Sequence, residues 1–342
     1  MDELLYMEIN IRKFGENLQE ISKVSRKDLI PVIKSSAYGM GDIEIARKIE
    51  ELGINLVAVV DLAEALRLAQ EGFNFEILIL NGIRESEYKY LDRYSKLVVS
   101  VNTLEEAKRL VNYSFYRTIK VHMQIDTGMN RLGFTDFWDY YEALRQIVFT
   151  KGFILEGIYT HFTDPENLKT QLERFEPYLK QYPYRIIHTS ASSTYPLSDF
   201  GTHLRIGADL YAQQVGNLKQ IIKIACKPLV INKIKKGESV GYDRAFKAER
   251  DELIAVLPIG YSNGYRRSLS GFPVLANNKQ YPTVGKVCMN HLFVRVDREV
   301  NLDTEFVITS EELPVGMIAK YLRTVPHEIL CMFKINNIRY LK

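Results

Sequence analysis

Cysteine is scarce in this sequence, and the few cysteines are widely separated. Cys226, Cys288 and Cys331 are the only three among 342 residues. Their odd number and wide spacing fit neither a metal-ligand motif nor the disulfide framework of a small secreted domain. We therefore expect no metal site and a protein of the reducing cytoplasm.

An excess of one charge and long apolar runs are also missing. The chain has 45 Lys and Arg against 42 Asp and Glu, for a net charge of +3. A nucleic-acid-binding protein usually carries a basic stripe, so this balance predicts no nucleic-acid partner. No apolar run has membrane length, and MDELLYMEIN lacks the basic-then-apolar pattern of a signal peptide. We expect a soluble intracellular protein with no membrane partner.

What the sequence does contain is an alternation of short apolar runs and amphipathic segments. The apolar runs, which are typical of buried strands, cover 29–34, 54–60, 75–81, 96–101, 118–126, 154–162, 184–190 and 202–207. Each of the first seven is followed by a candidate crossover segment. Near-continuous apolar strands separated by helices indicate a parallel sheet with helices on its outside. Eight of them predict a (β/α)8 TIM-type barrel within residues 1–222.

After residue 222 this alternation stops. Segments such as ELIAVLPIGYSNGY and YPTVGKVCMNHLFVRVD are typical of strands separated by turns, and little helix is predicted before GMIAKYL. Residues 223–342 are therefore predicted to form a second, mainly β domain at the C-terminal end.

Polar residues follow several of the predicted barrel strands. Barrel enzymes carry their catalytic groups at the C-terminal ends of the strands. The residues at such positions here are Lys34, Arg131, His161, Ser190, Ser192 and Arg205. A buried lysine has a lowered pKa and forms a Schiff base with an aldehyde. If the barrel is correct, these side chains lie together on one rim.

Small residues near Lys34 and after the last barrel strand leave room for a phosphate group. They are Ser35, Ser36, Ala37, Gly39, Gly207 and Ala208. Backbone N–H groups bind phosphate where no side chain is in the way, and barrels often do so around strands 7 and 8. A Schiff-base lysine with a phosphate site indicates pyridoxal phosphate. The sequence has neither a dinucleotide fingerprint nor a Walker motif that would indicate a different cofactor.

Several motifs resemble those of the alanine racemase family of fold-type III pyridoxal-phosphate enzymes. VIKSSAYGMG resembles the family's lysine motif, IDTGMNRLGF its arginine motif and YTHF its histidine motif. HTSASST and RIGADLYA resemble two further barrel motifs, and LPIGYSNGY and VGKVCMNHL resemble motifs of the second domain. The resemblance covers nearly the whole chain and the motifs occur in the family's order.

This resemblance implies roles for the matched residues. The cofactor-binding residues that it implies are Lys34, Tyr38, His161, Ser192, Arg205, Gly207 and Ala208. Among them, Lys34 carries the Schiff base and Arg205 lies opposite the pyridine nitrogen. Arg131 and the backbone of Met289 are implied to hold the carboxylate of a small amino-acid substrate.

Racemisation requires two acid–base groups, one on each face of the substrate Cα. The resemblance implies Lys34 for one face and Tyr261 for the other, with Tyr261 supplied by the partner subunit. It thus implies a head-to-tail homodimer with shared active sites. Because an arginine stays protonated, Arg205 disfavours a proton on the pyridine nitrogen, which suppresses side reactions such as transamination.

The expected activity is interconversion of L-alanine and D-alanine, supplying D-alanine for peptidoglycan. The positions that differ from the usual family pattern are Met40, Gln124, Ala191, Asn263, Asn290 and His327. Because of them, an alternative is a racemase of serine, lysine, ornithine or a broader range.

Two further alternatives fit the sequence less well. A non-catalytic pyridoxal-phosphate-binding protein would end after the barrel, whereas this chain continues into a second domain. A basic amino-acid decarboxylase would need an acidic residue at the pyridine nitrogen and a cysteine–aspartate pair. This chain has Arg205 at the first position and the letters CMN at the second.

Overall fold

A computed structural model describes residues 4–189, 194, 200–212 and 217–342. Two compact units divide the described chain. One, called the barrel unit here, consists of residues 15–37 and 41–210. The other, called the β unit, consists of residues 4–14, 38–40 and 211–342. The candidate residues Ser190 and Ser192, and the substituted position Ala191, lie outside the described residues.

The strands and helices are numbered in chain order. The strands are β1 (Leu5–Asn10), β2 (Asp28–Pro31), β3 (Leu56–Val59), β4 (Glu76–Ile79), β5 (Leu97–Val101), β6 (Ile119–Gln124), β7 (Phe153–Tyr159), β8 (Ile186–Thr189), β9 (His203–Ile206), β10 (Ile222–Cys226), β11 (Val230–Ile234), β12 (Ser239–Val240), β13 (Phe246–Lys247), β14 (Glu252–Leu257), β15 (Pro273–Ala276), β16 (Lys279–Val284), β17 (Leu292–Val296), β18 (Phe306–Thr309) and β19 (Ile338–Leu341). The helices are α1 (Ile11–Ser25), α2 (Lys34–Tyr38), α3 (Asp42–Glu51), α4 (Leu62–Glu71), α5 (Lys89–Arg93), α6 (Leu104–Asn112), α7 (Phe137–Phe149), α8 (Leu168–Leu179), α9 (Val315–Leu322) and α10 (Pro326–Met332).

The barrel unit contains one sheet of eight parallel strands in the order β2-β9-β8-β7-β6-β5-β4-β3. A parallel bridge between Val32 and Ala58 joins the two end strands. There the backbone N–H of Ile33 donates to the carbonyl oxygen of Ala58 over 2.9 Å. The sheet is thus nearly closed and carries helices between its strands, which confirms the predicted (β/α)8 TIM-type barrel.

Aliphatic side chains fill part of the barrel's core. One cluster of buried residues consists of Ile30, Val32, Leu56, Ala58, Leu78, Val98 and Ile186. Branched aliphatic residues pack well on a pleated surface, which is why these runs form strands. Helices α4 and α6 begin at capping side chains: Asp61 accepts the N–H of Glu64 at α4, and Thr103 accepts that of Glu106 at α6.

The β unit is built on a nine-stranded sheet in the order β11-β14-β17-β16-β15-β18-β10-β1-β19. This confirms the mainly β architecture predicted after the barrel. Strand β1, from the start of the chain, pairs antiparallel with β10 and parallel with β19. The sequence analysis did not predict that pairing, and its boundary at residues 222 and 223 stays a prediction.

Two classes of feature are absent from the described part of the chain. None of the helices between residues 4 and 342 that the structure describes has the length and apolar character of a membrane span. Within the same described ranges, no three His, Cys, Asp or Glu side chains lie together as potential metal ligands.

Candidate active site

Lys34 is the first residue of α2, and the backbone after it is left-handed. Ser35, Ser36, Ala37 and Tyr38 have φ values of 53°, 53°, 52° and 58°. L-amino acids rarely adopt this region in succession, because Cβ then crowds the following carbonyl. The predicted strand 29–34 is therefore too long, since β2 ends at Pro31. Lys34 lies in a tight turn beyond the strand end.

Glu64 of α4 stabilises this turn. One carboxylate oxygen accepts the backbone N–H of Ser35 over 2.6 Å, and the other accepts that of Val60 over 2.9 Å. The residue is only 8% exposed. A buried carboxylate that accepts two N–H groups ties the residue after Lys34 to the end of β3. Sequence reasoning missed this residue, although a charge beside the apolar positions Leu62 and Ala65 was a signal.

Arg205 of β9 is buried, with only 5% of its surface exposed. Its Nη1 lies 2.9 Å from Nδ1 of His188, and its Nη2 donates to the carbonyl oxygen of Thr160 over 3.0 Å. Nη2 also lies 3.1 Å from Nδ1 of His161. The guanidinium carbon is 4.8 Å from the ring centroid of Tyr159. The guanidinium is therefore fixed from several sides.

Three predicted cations act on the imidazole of His161. Burial, and then the positive charges of Arg205, Arg131 and Lys34, lower the pKa of His161 to about 3. A neutral imidazole is consequently the form present at physiological pH, with Nδ1 as an acceptor for Arg205. The structure thus brings together Lys34, Arg131, His161 and Arg205, which the sequence analysis had selected from four separate motifs.

The loop that carries Arg131 is folded around Asp126. The Asp126 carboxylate accepts the N–H of Gly128 and of Arg131, each over 2.8 Å. Burial by itself would raise the pKa of Asp126, but hydrogen bonds from the loop's backbone N–H groups lower it overall. The loop closes where Phe134 N–H donates to the Gln124 carbonyl oxygen over 2.8 Å. Arg131 is thus exposed on a loop with a defined backbone.

Tyr261 and Met289, predicted from separate motifs of the β unit, lie on adjoining loops. The N–H of Tyr261 donates to the Cys288 carbonyl oxygen over 3.1 Å, and that of Ser262 donates to the Met289 carbonyl oxygen over 2.9 Å. Gly260 permits this approach, because a Cβ there would lie 2.3 Å from the Cys288 carbonyl oxygen. The side chains of Tyr261 and Met289 are exposed by 44% and 55%.

Both halves of the chain match models of one protein family. Residues 9–214 match the model described as alanine racemase, N-terminal domain, and residues 221–340 match alanine racemase, C-terminal domain. The chain belongs to the alanine racemase family. Members of this family are pyridoxal-phosphate-dependent isomerases, so the chain is an enzyme of the amino-acid racemase class.

Individual alanine racemases are similar over their full length. The chain is 30% identical to the alanine racemase of Limosilactobacillus fermentum, over 94% of this chain and 93% of that one. The crystal structure of the alanine racemase from E. faecalis superposes with a TM-score of 0.92 at 28% identity, over 99% of this chain and 98% of that one.

Two more distant structures show the same fold. One is an alanine racemase from Bartonella henselae with covalently bound pyridoxal phosphate, at a TM-score of 0.88 and 23% identity over 99% of this chain and 100% of that one. The other is a histidine racemase from Leuconostoc mesenteroides, at a TM-score of 0.88 and 21% identity over 99% and 98% of the two chains.

The remaining residues that the resemblance to alanine racemases selected have the following places. Tyr38 belongs to the β unit, where its ring lies 4.9 Å from that of Tyr211. Gly207 and Ala208 are buried and follow β9 in the barrel unit, and the N–H of Leu210 donates to the Gly207 carbonyl oxygen over 2.9 Å. Their roles, like that of Ser192, stay predictions.

The amides that replace usual charged residues of alanine racemases all make hydrogen bonds. Gln124 Oε1 accepts the hydroxyl of Tyr159 over 2.8 Å. Asn263 Oδ1 accepts the N–H of Gly260 over 3.2 Å, and Asn290 Nδ2 donates to Ser262 Oγ over 2.8 Å. These neutral groups therefore support the same loops that present the candidate residues.

Proposed function

We propose that this protein interconverts L-alanine and D-alanine with pyridoxal phosphate attached to Lys34. One observation carries the proposal: Arg205 Nη2 lies 3.1 Å from Nδ1 of the half-buried His161, and the charges of Arg131 and Lys34 act on the same imidazole. Those four residues are among those that the family's motifs assign to the cofactor and the substrate. The alanine racemases that the chain matches over nearly its whole length support alanine as the substrate.

The side chains of the barrel unit fit this cofactor. Lys34 provides an amine, and Arg131 and Arg205 provide positive charge for an anionic cofactor and a substrate carboxylate. The neutral imidazole of His161 adds no further charge beside Arg205. Buried backbone at Gly207 and Ala208 is free of bulky side chains. When bound, pyridoxal phosphate supplies an aldehyde that captures the substrate amine and a conjugated ring that draws electrons from Cα.

The protein's own residues then handle the proton. Lys34 takes or returns the Cα proton on one face of the substrate, and Tyr261 of the partner subunit does so on the other. Arg131 and the backbone of Met289 hold the substrate carboxylate. Arg205 would donate a hydrogen bond to the pyridine nitrogen of the cofactor but would not give up its proton. An unprotonated pyridine nitrogen disfavours loss of the substrate amino group. Racemisation is favoured over transamination for that reason.

We also propose a head-to-tail homodimer that works in the cytoplasm and supplies D-alanine for peptidoglycan. The exposure of Tyr261 and Met289 supports a dimer, because their hydrogen-bonded loops present both side chains outward. A proton-transfer tyrosine requires a partner surface that excludes water from its hydroxyl. The surface of a second copy supplies it.

Chiral chromatography tests the activity. Purified protein with pyridoxal phosphate is incubated separately with L- and D-alanine and with serine, lysine, ornithine and histidine. We expect interconversion of alanine in both directions. Lys34→Ala should lose this activity, whereas the exposed control Lys23→Ala should retain it. Borohydride reduction and peptide mass spectrometry should find the cofactor on Lys34. Cofactor on Lys34 without conversion of any amino acid would contradict the proposed activity.

Co-expression of two inactive variants tests the shared site. A dimer of one Lys34→Ala subunit and one Tyr261→Phe subunit retains one complete site, if Tyr261 acts across the dimer. Random pairing should then restore about a quarter of wild-type activity. An inactive mixture that still sediments as a dimer would contradict the exchange of Tyr261 between subunits.

A second candidate function is racemisation of a different or broader set of amino acids. The supporting observation is at Gln124, a position where many family members have a lysine. Its amide oxygen accepts a hydrogen bond from the Tyr159 hydroxyl. A changed substrate-side environment near Arg131 can change which side chain is accepted. Faster conversion of serine or a basic amino acid than of alanine in the same panel would establish this alternative.

A further inference from the structure

A chain of buried polar side chains continues from Arg205 through the barrel unit. Arg205 Nη1 lies 2.9 Å from Nδ1 of His188, and Nε2 of His188 lies 2.9 Å from Nδ1 of His122. Nε2 of His122 lies 3.8 Å from Oε2 of Glu156. Both histidines are fully buried, and Glu156 is 4% exposed. The racemase chemistry described above assigns no role to His188, His122 or Glu156.

A glycine makes this arrangement possible. His122 is on β6 and His188 on β8, so β7 lies between them in the sheet. Barrel interiors are packed in layers to which alternate strands contribute side chains. At Gly157 of β7, a Cβ would lie 2.7 Å from the His122 ring. Any larger residue at 157 would displace His122 from His188.

Arg205 determines which ring nitrogens of His188 and His122 carry a proton. A guanidinium can only donate, so Nδ1 of His188 must carry the lone pair and Nε2 must carry the proton. That proton is donated to Nδ1 of His122, so the proton of His122 is also on Nε2. Burial lowers the pKa of both histidines, with the charge of Arg205 as a further cause at His188. Both rings are therefore neutral, and Nε2 of His122 directs its proton toward Glu156.

The last member of this series of buried side chains is the carboxylate of Glu156. Its Oε1 receives Lys120 Nζ over 2.9 Å and Arg185 Nη1 over 3.2 Å. Its Oε2 and the Nε2 of His122 are both buried, and neither has a hydrogen-bond partner among the described residues. Other titratable groups near this end are Glu76, which also pairs with Lys120, and His203, whose pKa is lowered by burial. One carboxylate oxygen thus serves the cations, and the other faces the imidazole.

We propose that Glu156 is a positioning residue for Arg205. Its carboxylate faces Nε2 of His122 across 3.8 Å and keeps His122 and His188 in the Nε2–H form, so that His188 always presents a lone pair to Arg205. The alternative arrangement would place an N–H of His188 against an N–H of Arg205, and the guanidinium would have to move. This inference rests on the proposed function only in that Arg205 is taken to contact the cofactor. The positions of the protons on His122 and His188 do not depend on that function.

The substitution Glu156→Gln tests the proposal with almost no change of shape. The single amide oxygen is drawn to Lys120 and Arg185, so the NH2 group faces His122 and donates to its Nε2. The proton of His122 then moves to Nδ1, and that of His188 follows. Nitrogen-15 spectra of protein labelled in histidine and loaded with pyridoxal phosphate distinguish the two neutral forms, with signals assigned from His122→Asn and His188→Asn variants.

The expected result is that wild type shows His122 and His188 as Nε2–H and that Glu156→Gln loses the Nε2–H signal of His188. Glu156→Asp, which keeps a carboxylate, should retain that signal. Glu76→Gln should also retain the Nε2–H signal of His188. This variant removes the other carboxylate that pairs with Lys120 but leaves Glu156 facing His122. Retention of both Nε2–H forms in Glu156→Gln, or an Nδ1–H form of His188 in wild type, would overturn the proposal. These spectra remain informative if no racemase activity is found, so the two proposals fail separately.

Discussion

The barrel unit and the β unit hold their candidate catalytic groups in opposite ways. In the barrel unit, Arg205 is buried and His161 is half-buried, and their side chains are hydrogen-bonded to each other. In the β unit, Tyr261 and Met289 are positioned through backbone hydrogen bonds of their loops, while their side chains face outward. The barrel unit therefore prepares its groups within one folded chain. In the dimer proposed above, a second molecule supplies the surroundings of the groups that the β unit presents.

This contrast separates stability from activity. A buried group with several partners contributes to both, because its removal leaves donors or acceptors without partners. An exposed group can be essential for the reaction without contributing to folding. Substitutions in the two units should consequently give different combinations of the two effects.

The largest expected effect is on activity, in Tyr261→Phe. Loss of the hydroxyl removes one of the two proposed proton-transfer groups, so we expect racemase activity to fall about a thousandfold, with an unfolding free energy within about 0.5 kcal/mol of wild type. Chiral chromatography and urea unfolding measure the two quantities. Tyr116→Phe, at an exposed tyrosine of the barrel unit, should change neither. A large loss of stability in Tyr261→Phe would end the contrast between the units.

Arg205→Leu should impair both properties. It leaves the Thr160 carbonyl oxygen and His188 Nδ1 buried without a donor, so we expect a loss of about 2–4 kcal/mol in unfolding free energy. Urea unfolding measures this loss, and activity should fall as well. The control is Arg145→Leu, at an exposed arginine of α7, which should stay near wild type. An Arg205→Leu variant as stable as wild type would show that the buried contacts contribute little.

Mild acid should destabilise the barrel unit in particular. The folded pKa of His161 is about 3, below its unfolded value, so between these values the unfolded chain binds a proton that the folded chain does not. Stability is present above the unfolded pKa and declines as pH falls through this window, at up to about 1.4 kcal/mol per pH unit for each such histidine.

Urea unfolding at pH 7 and pH 5 measures this decline. His161→Gln should reduce it, because glutamine has no proton to gain. The two histidines of the β unit, His291 and His327, are exposed. Substituting His291 by Gln should leave the pH dependence unchanged. An equal pH dependence in wild type and His161→Gln would contradict a neutral His161 imidazole in the folded protein.

The smallest expected effect is that of Glu64→Gln. Gln retains one acceptor oxygen for the N–H groups of Ser35 and Val60, so we expect a loss of about 1–2 kcal/mol. Because the turn after Lys34 is then held less firmly, activity should fall modestly. Glu71→Gln, at an exposed position of the same helix, is the matched control. If the two variants are equally stable, Glu64 does not hold the turn.

The sequence predicted the architecture because the architecture depends on local patterns. Apolar runs and amphipathic segments follow one another every few tens of residues, and each predicts its own element. The motif residues Lys34, Arg131, His161 and Arg205 were found in the same way, since each lies at or just after the end of a predicted strand. Tyr261 and Met289 were also found from motifs, each recognisable by itself.

Other features depend on residues that are distant in sequence, and no local pattern revealed them. Lys34 was expected to end a strand, but the left-handed turn is held by Glu64, which belongs to a later helix. His122 and His188 each looked like one polar residue in an apolar strand. Their contact depends on two alternate strands and on a glycine in the strand between them. Such networks become visible only when the sheet order is known.

The position of β1 in the sheet has a consequence for synthesis of the protein. Met7 of β1 pairs with Ile338 of β19, so more than three hundred residues separate the partners. A ribosome adding ~5–20 residues per second needs roughly 15–65 s to make the intervening chain. All strands of the barrel are complete well before then, since β9 ends at Ile206. The first strand made therefore waits for the last one, and the nascent chain carries an unpaired β1 edge through most of translation.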